Sequence, residues 1–254
     1  MQQLFTDRRR QNKIERMKIV QALVAIGGRA SRLRVRGYDV PVSKSFIQFK
    51  GQPVLYWSLL SLHAAGLRNL VLAGDDILQL AEARLLVDDL PVSFRQVVFF
   101  QDPGLGVHGL PYQARALLDD QYLFDCGHGL MDFRHYRRLM SAKNADYIIF
   151  SAFAPHPQNL RQPVSLSRGR VTGMGAGRRF RFAIAHPMVI DRRYAETLPE
   201  LEYDIRAIID YYSTRRALRY IFSEMPPEFD IVEELRDVEA PYERYVESNF
   251  PPSG

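Results

Sequence analysis

The chain alternates between two hydrophobic rhythms. Short apolar runs rich in β-branched and aromatic residues are separated by stretches in which apolar residues return every three or four positions, the two patterns that distinguish strands from amphipathic helices. The apolar run Ile19–Ile26, ending at Gly27-Gly28, predicts a buried strand. Pro53–Ala65, with Val54, Trp57, Leu60, Leu62 and Ala65 at helical spacing and Pro in the first turn, predicts a helix. The same reading predicts strands over Asn69–Ala73, Ser93–Phe100, Tyr122–Cys126 and Tyr147–Phe153, with helices over Ile77–Leu86, Leu110–Leu118 and Phe133–Ser141 between them. A βα unit repeated this often predicts an α/β fold: a single-domain, mainly parallel, Rossmann-like sheet flanked by helices and joined by right-handed crossovers.

After Phe153 the texture changes. Ala154–Gly177 is rich in Pro, Gly, Ser and Arg and contains a hairpin signal at Arg168-Gly169-Arg170, which predicts a β-rich insertion in the second half. Strands are expected at Phe182–Ile190 and Leu218–Glu224, and helices at Tyr203–Tyr212 and Val232–Val246. Residues 1–16 are polar, with Arg8, Arg9 and Arg10 in a row, and read as a flexible basic extension of a domain spanning 17–254. They lack the apolar core of a signal peptide. No apolar run approaches the roughly 20 residues of a membrane-spanning helix, so no membrane partner is expected.

Composition narrows the picture only slightly. Hydrophobic residues make up 46% and charged residues 25%, which excludes a disordered or collagen-like chain. The net charge of +5 suits any anionic partner without choosing among them, and no interleaving of basic and aromatic residues supports nucleic-acid binding. Cys126 is the only cysteine, so neither an internal disulfide nor a cysteine-based zinc cluster can form, and a reducing, cytoplasmic setting is expected.

Candidate chemistry begins at the turn after the first strand, Gly27-Gly28-Arg29-Ala30-Ser31-Arg32-Leu33-Arg34. Glycines there let backbone amides approach a ligand at the carboxyl end of a strand, and three arginines add charge that matches phosphate oxygens. The same residues also fit a solvated basic turn. The spacing is neither that of a dinucleotide fingerprint nor that of a P-loop. Pro41-Val42-Ser43-Lys44 follows, then Gly51-Gln52-Pro53.

Gly27-Gly28-Arg29-x-Ser31-Arg32-Leu33, Lys44 and, seven positions on, Gly51-x-Pro53 together resemble the amino-terminal signature of the sugar-1-phosphate nucleotidyltransferases. The likeness continues through Gln101-Asp102-Pro103-Gly104-Leu105-Gly106 and covers most of Ile19–Asp132. It implies a GT-A-like fold and the joining of a nucleoside triphosphate, with pyrimidines favoured, to a sugar-1-phosphate, releasing pyrophosphate. Arg32 and Lys44 would be catalytic; Gly27, Gly28, Arg29, Ser31, Gln101 and Gly106 would hold the nucleotide; Arg178, Arg179 and His186 would hold the sugar phosphate.

The resemblance also implies Mg²⁺ or Mn²⁺, but His128 stands where the family has its metal-binding Asp. Three readings stay open. Asp132 or Asp125 takes over the metal beside Asp230, the counterpart of a second family ligand; His128 itself binds a softer ion; or the chain has lost catalysis and binds a nucleotide or sugar nucleotide in a regulatory or structural role. Ala30 in place of a signature glycine and Ser43 in place of a proline are further departures. A homo-oligomer is compatible with the sequence.

Overall fold

The computed structural model describes residues 19–28, 34, 42–142, 148–154, 163–175, 182–224, 229 and 232–250. Arg29, Ser31, Arg32, Arg178, Arg179 and Asp230 lie outside the described residues, as do 1–16. The first half contributes β1 (Gln21–Ala25), β2 (Gln48–Phe49), β3 (Gln52–Pro53), α1 (Val54–Ala65), β4 (Asn69–Gly74), α2 (Ile77–Asp88), β5 (Gln96–Gln101), α3 (Leu110–Gln113), β6 (Gln121–Cys126), α4 (Phe133–Ser141) and β7 (Ile148–Phe153). The second half contributes β8 (Pro163–Ser167), β9 (Arg170–Met174), β10 (Phe182–Asp191), α5 (Arg192–Thr197), α6 (Ile205–Thr214), β11 (Leu218–Phe222) and α7 (Val232–Asn249).

Local sequence accounts for the element ends. Gly66 closes α1 in the left-handed conformation at φ 107°, where a glycine avoids the Cβ penalty. Asp76 caps α2 in a reciprocal box with Gln79, satisfying amides the helix cannot. Arg168 and Gly169, at φ 46° and 77°, make the two-residue turn that joins β8 to β9, as the hairpin signal predicts.

Strands β5, β4, β1 and β6 lie side by side and parallel. Their alternation sends successive side chains to opposite faces. Ala22, Val24, Leu70, Leu72 and Leu123 pack with Leu55, Leu59, Leu80 and Tyr136 of α1, α2 and α4. Leu23, Val71, Tyr122 and Phe124 pack on the other face with Leu110, Tyr194, Ile208 and Ile209 of α3, α5 and α6. A third core joins Ile47, Val54, Leu130 and Phe229 to Val238 and Tyr242 of α7. The Tyr242 hydroxyl accepts the Leu130 amide at 3.0 Å and the Tyr245 hydroxyl accepts the Phe133 amide at 3.1 Å, so α7 clamps the loop that follows β6.

The expectation of a mainly parallel sheet holds only for the first half. Strand β10 runs antiparallel to β6 and β7, β11 pairs parallel with β7 and antiparallel with β9, and β8 pairs with both β9 and β10. Strands β10, β7, β11, β9 and β8 therefore close a five-stranded ring. The reason is connective: a parallel neighbour needs a crossover, usually a helix, and no helix lies between β7 and β10 among the described residues. The β-rich insertion is thus part of the sheet. No helix among the described residues is long and apolar enough to cross a membrane.

Buried in the first-half core, Asp125 is only 3% exposed and its Oδ2 accepts the Tyr136 hydroxyl at 2.5 Å. Burial, and secondarily this carboxylate, push the Tyr136 phenol well above its ordinary pKa. Replacing Tyr136 with Phe leaves a buried carboxylate oxygen without that donor and should cost about 2–3 kcal/mol in urea unfolding; a loss below about 0.5 kcal/mol would show that the bond is dispensable.

Candidate functional site

Because β1, β4, β5 and β6 are parallel, their carboxyl ends open on one edge, where open α/β sheets bind ligands. Gly27 and Gly28 follow β1, Asp75 follows β4, Gln101 ends β5, and Gly127 and His128 follow β6. Gly28 has φ 100° and Gly106, in the loop after β5, has φ 74°, conformations that favour glycine. A Cβ on Gly127 would stand 2.8 Å from Leu55 Cδ1 and 3.1 Å from Ile26 Cγ2, so the β6 loop passes close over the β1 end only without a side chain there.

Lys44 reaches this edge from a single helical turn, Lys44–Phe46. The buried Ser43 hydroxyl donates to the Ile26 carbonyl at 2.7 Å, and the Ser45 hydroxyl to the same oxygen at 3.4 Å. The turn is thereby pinned to the end of β1, and Ser43 supplies a bond that proline could not. The Lys44 ammonium lies 3.0 Å from His128 Nε2 and donates to the Phe229 carbonyl at 3.1 Å. An ammonium can only donate, so His128 Nε2 is the acceptor and the neutral ring carries its proton on Nδ1.

Asp75, which sequence reading overlooked, sits on the glycine turn. Its Oδ1 accepts the Gly28 amide at 3.3 Å, and a Cβ on Gly27 would come within 2.9 Å of the same oxygen. The carboxylate thus contacts a backbone amide expected to meet phosphate. Its position one residue past a strand end was the available signal. Gln101 is exposed and in register with Gly74, and the next amide, of Asp102, donates to the Gly74 carbonyl at 2.8 Å.

His186 sits at the end of β6 from the opposite direction. The His186–Pro187 peptide is cis, the β7–β10 register shifts between Ala185 and Met188, and His186 Nδ1 comes 3.2 Å from Cys126 Sγ. Phe124 meets the ring edge-on at 4.5 Å between centroids, and His108 stacks on it at 6.5 Å. His108 and Cys126 are neighbours that the sequence reading did not assign. A polar chain supports this corner: Arg138 Nη2 donates to His135 Nδ1 at 3.1 Å, His135 Nε2 to Ser151 Oγ at 2.9 Å, and Ser151 Oγ to the Pro187 carbonyl at 2.7 Å. Burial, then the nearby Arg138 guanidinium, lower the His135 pKa from 6.5 to about 4.

Of the expected metal ligands, Asp230 lies outside the described residues, and the others are bonded to protein groups. Asp132 caps α4, accepting the Arg134 amide at 2.7 Å through Oδ1 and the Arg134 guanidinium at 3.2 Å through Oδ2. Asp125 is turned to Tyr136 and to the Cys126 amide, at 2.8 Å. The Nε2 lone pair of His128 faces an ammonium. Among the described residues no group of three His, Cys, Asp or Glu side chains converges.

In sequence, the chain matches no protein-family model and no curated protein. In structure it matches the inositol-1-phosphate CTP transferase from T. maritima, with a TM-score of 0.74 over 91% of this chain and 97% of that one, at 16% identity. The chain has the fold of the sugar-phosphate nucleotidyltransferases. HddC from Yersinia pseudotuberculosis, solved with GMP-PN, matches with a TM-score of 0.66 over 88% of this chain and 100% of that one, at 14% identity. The UTP-bound UGPase from Acinetobacter baumannii matches with 0.66 over 88% and 93%, at 12% identity. The sequence resemblance and the structural one therefore point to the same fold.

Two expectations follow from the site. The lowered His135 pKa means the unfolded chain takes up a proton between pH 6.5 and about 4 that the folded chain refuses, so stability present above pH 6.5 is lost as pH falls through that window. His135→Gln should flatten the slope of urea stability against pH there, by up to about 3 kcal/mol across the window; an unchanged slope would exclude His135 as its source. Asp75→Ala should tighten inorganic pyrophosphate binding about threefold to tenfold in calorimetry, by removing a negative charge from the glycine turn; weaker binding would show that Asp75 instead supports the anion.

Proposed function

We propose that this chain is a nucleotidyltransferase that joins a nucleoside triphosphate to a sugar-1-phosphate, or a similar phosphorylated acceptor, giving a nucleoside-diphosphate sugar and pyrophosphate. The observation that carries this reading is the placement of Lys44, a fixed ammonium beside the glycine turn at the carboxyl ends of β1 and β6. The likeness to enzymes whose names state CTP transfer to inositol-1-phosphate, and to a UTP-bound UGPase, supports it.

An acceptor phosphate oxygen forms a new bond to the α-phosphorus as the bond from that phosphorus to the bridging oxygen breaks, and pyrophosphate leaves with the bond's electron pair. Little covalent work falls to the protein; positioning and charge stabilisation do most of it. Lys44 neutralises charge building on the α-phosphoryl oxygens, and Ser43 and the Ile26 carbonyl keep it in place. The Gly27–Gly28 turn, with Arg29, Ser31 and Arg32 beyond it, receives the remaining phosphates. Gln101 at the sheet edge reads a pyrimidine through its paired donor and acceptor, with Gly106 allowing close approach. The His186 corner, with Cys126 and His108, shapes the acceptor pocket, and Arg178 and Arg179 supply charge for the acceptor phosphate. The retained lysine favours turnover over binding alone. A reducing, cytoplasmic setting and a homo-oligomer fit this reading.

A panel of CTP, UTP, dTTP, ATP and GTP against several sugar-1-phosphates, scored for pyrophosphate, tests the activity. Lys44→Ala should cut release by about a hundredfold or more while far-ultraviolet circular dichroism stays unchanged. Undiminished turnover in that variant would overturn the assignment.

A further inference from the structure

Among the described residues the Lys44 ammonium lies against the Nε2 of His128 and donates to the carbonyl of Phe229, the residue immediately before Asp230. Position 128 is where the resemblance puts one metal ligand, and Phe229 adjoins in sequence Asp230, the position of the other. We infer that in this chain Lys44 fills the place of a protein-held divalent ion, and that the protein binds its nucleoside triphosphate as well without Mg²⁺ as with it.

This inference rests on the nucleotidyltransferase reading and deepens it. Imidazole has one acceptor lone pair when neutral, on the nitrogen without hydrogen; here that pair points at Nζ 3.0 Å away. A metal ion on Nε2 would have to displace the ammonium or sit against it, and like charges at that distance repel. Mg²⁺ also prefers hard oxygen donors and keeps few bonds to imidazole. An Asp at position 128 would reverse each of these conditions, since a carboxylate can accept from Lys44 through one oxygen and ligate through the other. His128 therefore acts as a positioning residue that accepts the lysine and denies the position to an ion. It is 8% exposed and packs edge-on against the Phe229 ring at 6.2 Å, so the imidazole is held where it is.

The test is calorimetric titration of the full chain with CTP, UTP and dTTP in EDTA and in Mg²⁺, for wild type, H128D and H128N. For the wild type and H128N, whose amide oxygen still accepts from Lys44, the two dissociation constants should agree within about threefold. For H128D, Mg²⁺ should tighten binding by about tenfold or more. Wild-type binding that needs Mg²⁺ by about tenfold overturns this inference and leaves the nucleotidyltransferase reading standing. So does a folded H128D that stays indifferent to Mg²⁺. Absence of nucleotide binding in every condition overturns both. If H128D does not fold, electron paramagnetic resonance of Mn²⁺ with wild type and nucleotide decides: nitrogen coupling from a histidine ligand overturns the inference, and its absence, with Mn²⁺ distributed as on free nucleotide, supports it.

Discussion

One bonded group holds the site together: the Lys44 ammonium between His128, 84 residues away in sequence, and the carbonyl of Phe229, 185 residues away. It joins the turn after β1, the loop after β6 and the segment leading into α7. The lysine's turn and the β6 loop are each fixed independently. Ser43 ties the lysine's own turn to the Ile26 carbonyl, the close passage of Gly127 over Leu55 and Ile26 sets the height of the β6 loop, and Tyr242 and Tyr245 of α7 hold that loop through its amides. A flexible side chain becomes a fixed charge because the backbone around it has no slack. Preorganised charge is what a phosphoryl-transfer site needs from its protein.

Much of the first half was legible in the sequence because its elements are long and locally periodic. The helix expected over Phe133–Ser141 forms over those residues, and the strand expected over Asn69–Ala73 extends by one residue to Gly74. Where local signals conflict or run short, the reading fails. The helix expected over Leu110–Leu118 gives way at Ala114 to a single tighter turn closed by the Leu117 amide on the Ala114 carbonyl. Six residues suffice for α5 but show no period, so it was not anticipated. The five-stranded ring depends on β8 meeting β10 and β9 meeting β11, pairings set by distant partners that no local pattern announces.

The site divides in the same way. Lys44 was legible through its distance from Gly51 and Pro53, and Gly28 through the turn it makes. The partners were not, since the bond to His128, the Asp75 carboxylate on the Gly28 amide and the His186–Cys126 contact each cross tens of residues. Position 128 shows the difference most clearly. Read along the chain it stands where the resemblance puts a metal-binding Asp; read in space its Nε2 lies 3.0 Å from the lysine.

The most direct test of this account is a crystal structure of the chain with a pyrimidine nucleoside triphosphate bound. The account places the triphosphate over the Gly27–Gly28 turn with an α-phosphoryl oxygen in hydrogen-bond reach of the Lys44 ammonium and the base beside Gln101. A nucleotide seated away from the carboxyl ends of β1 and β6, or one that leaves Lys44 without a phosphate contact, would contradict it.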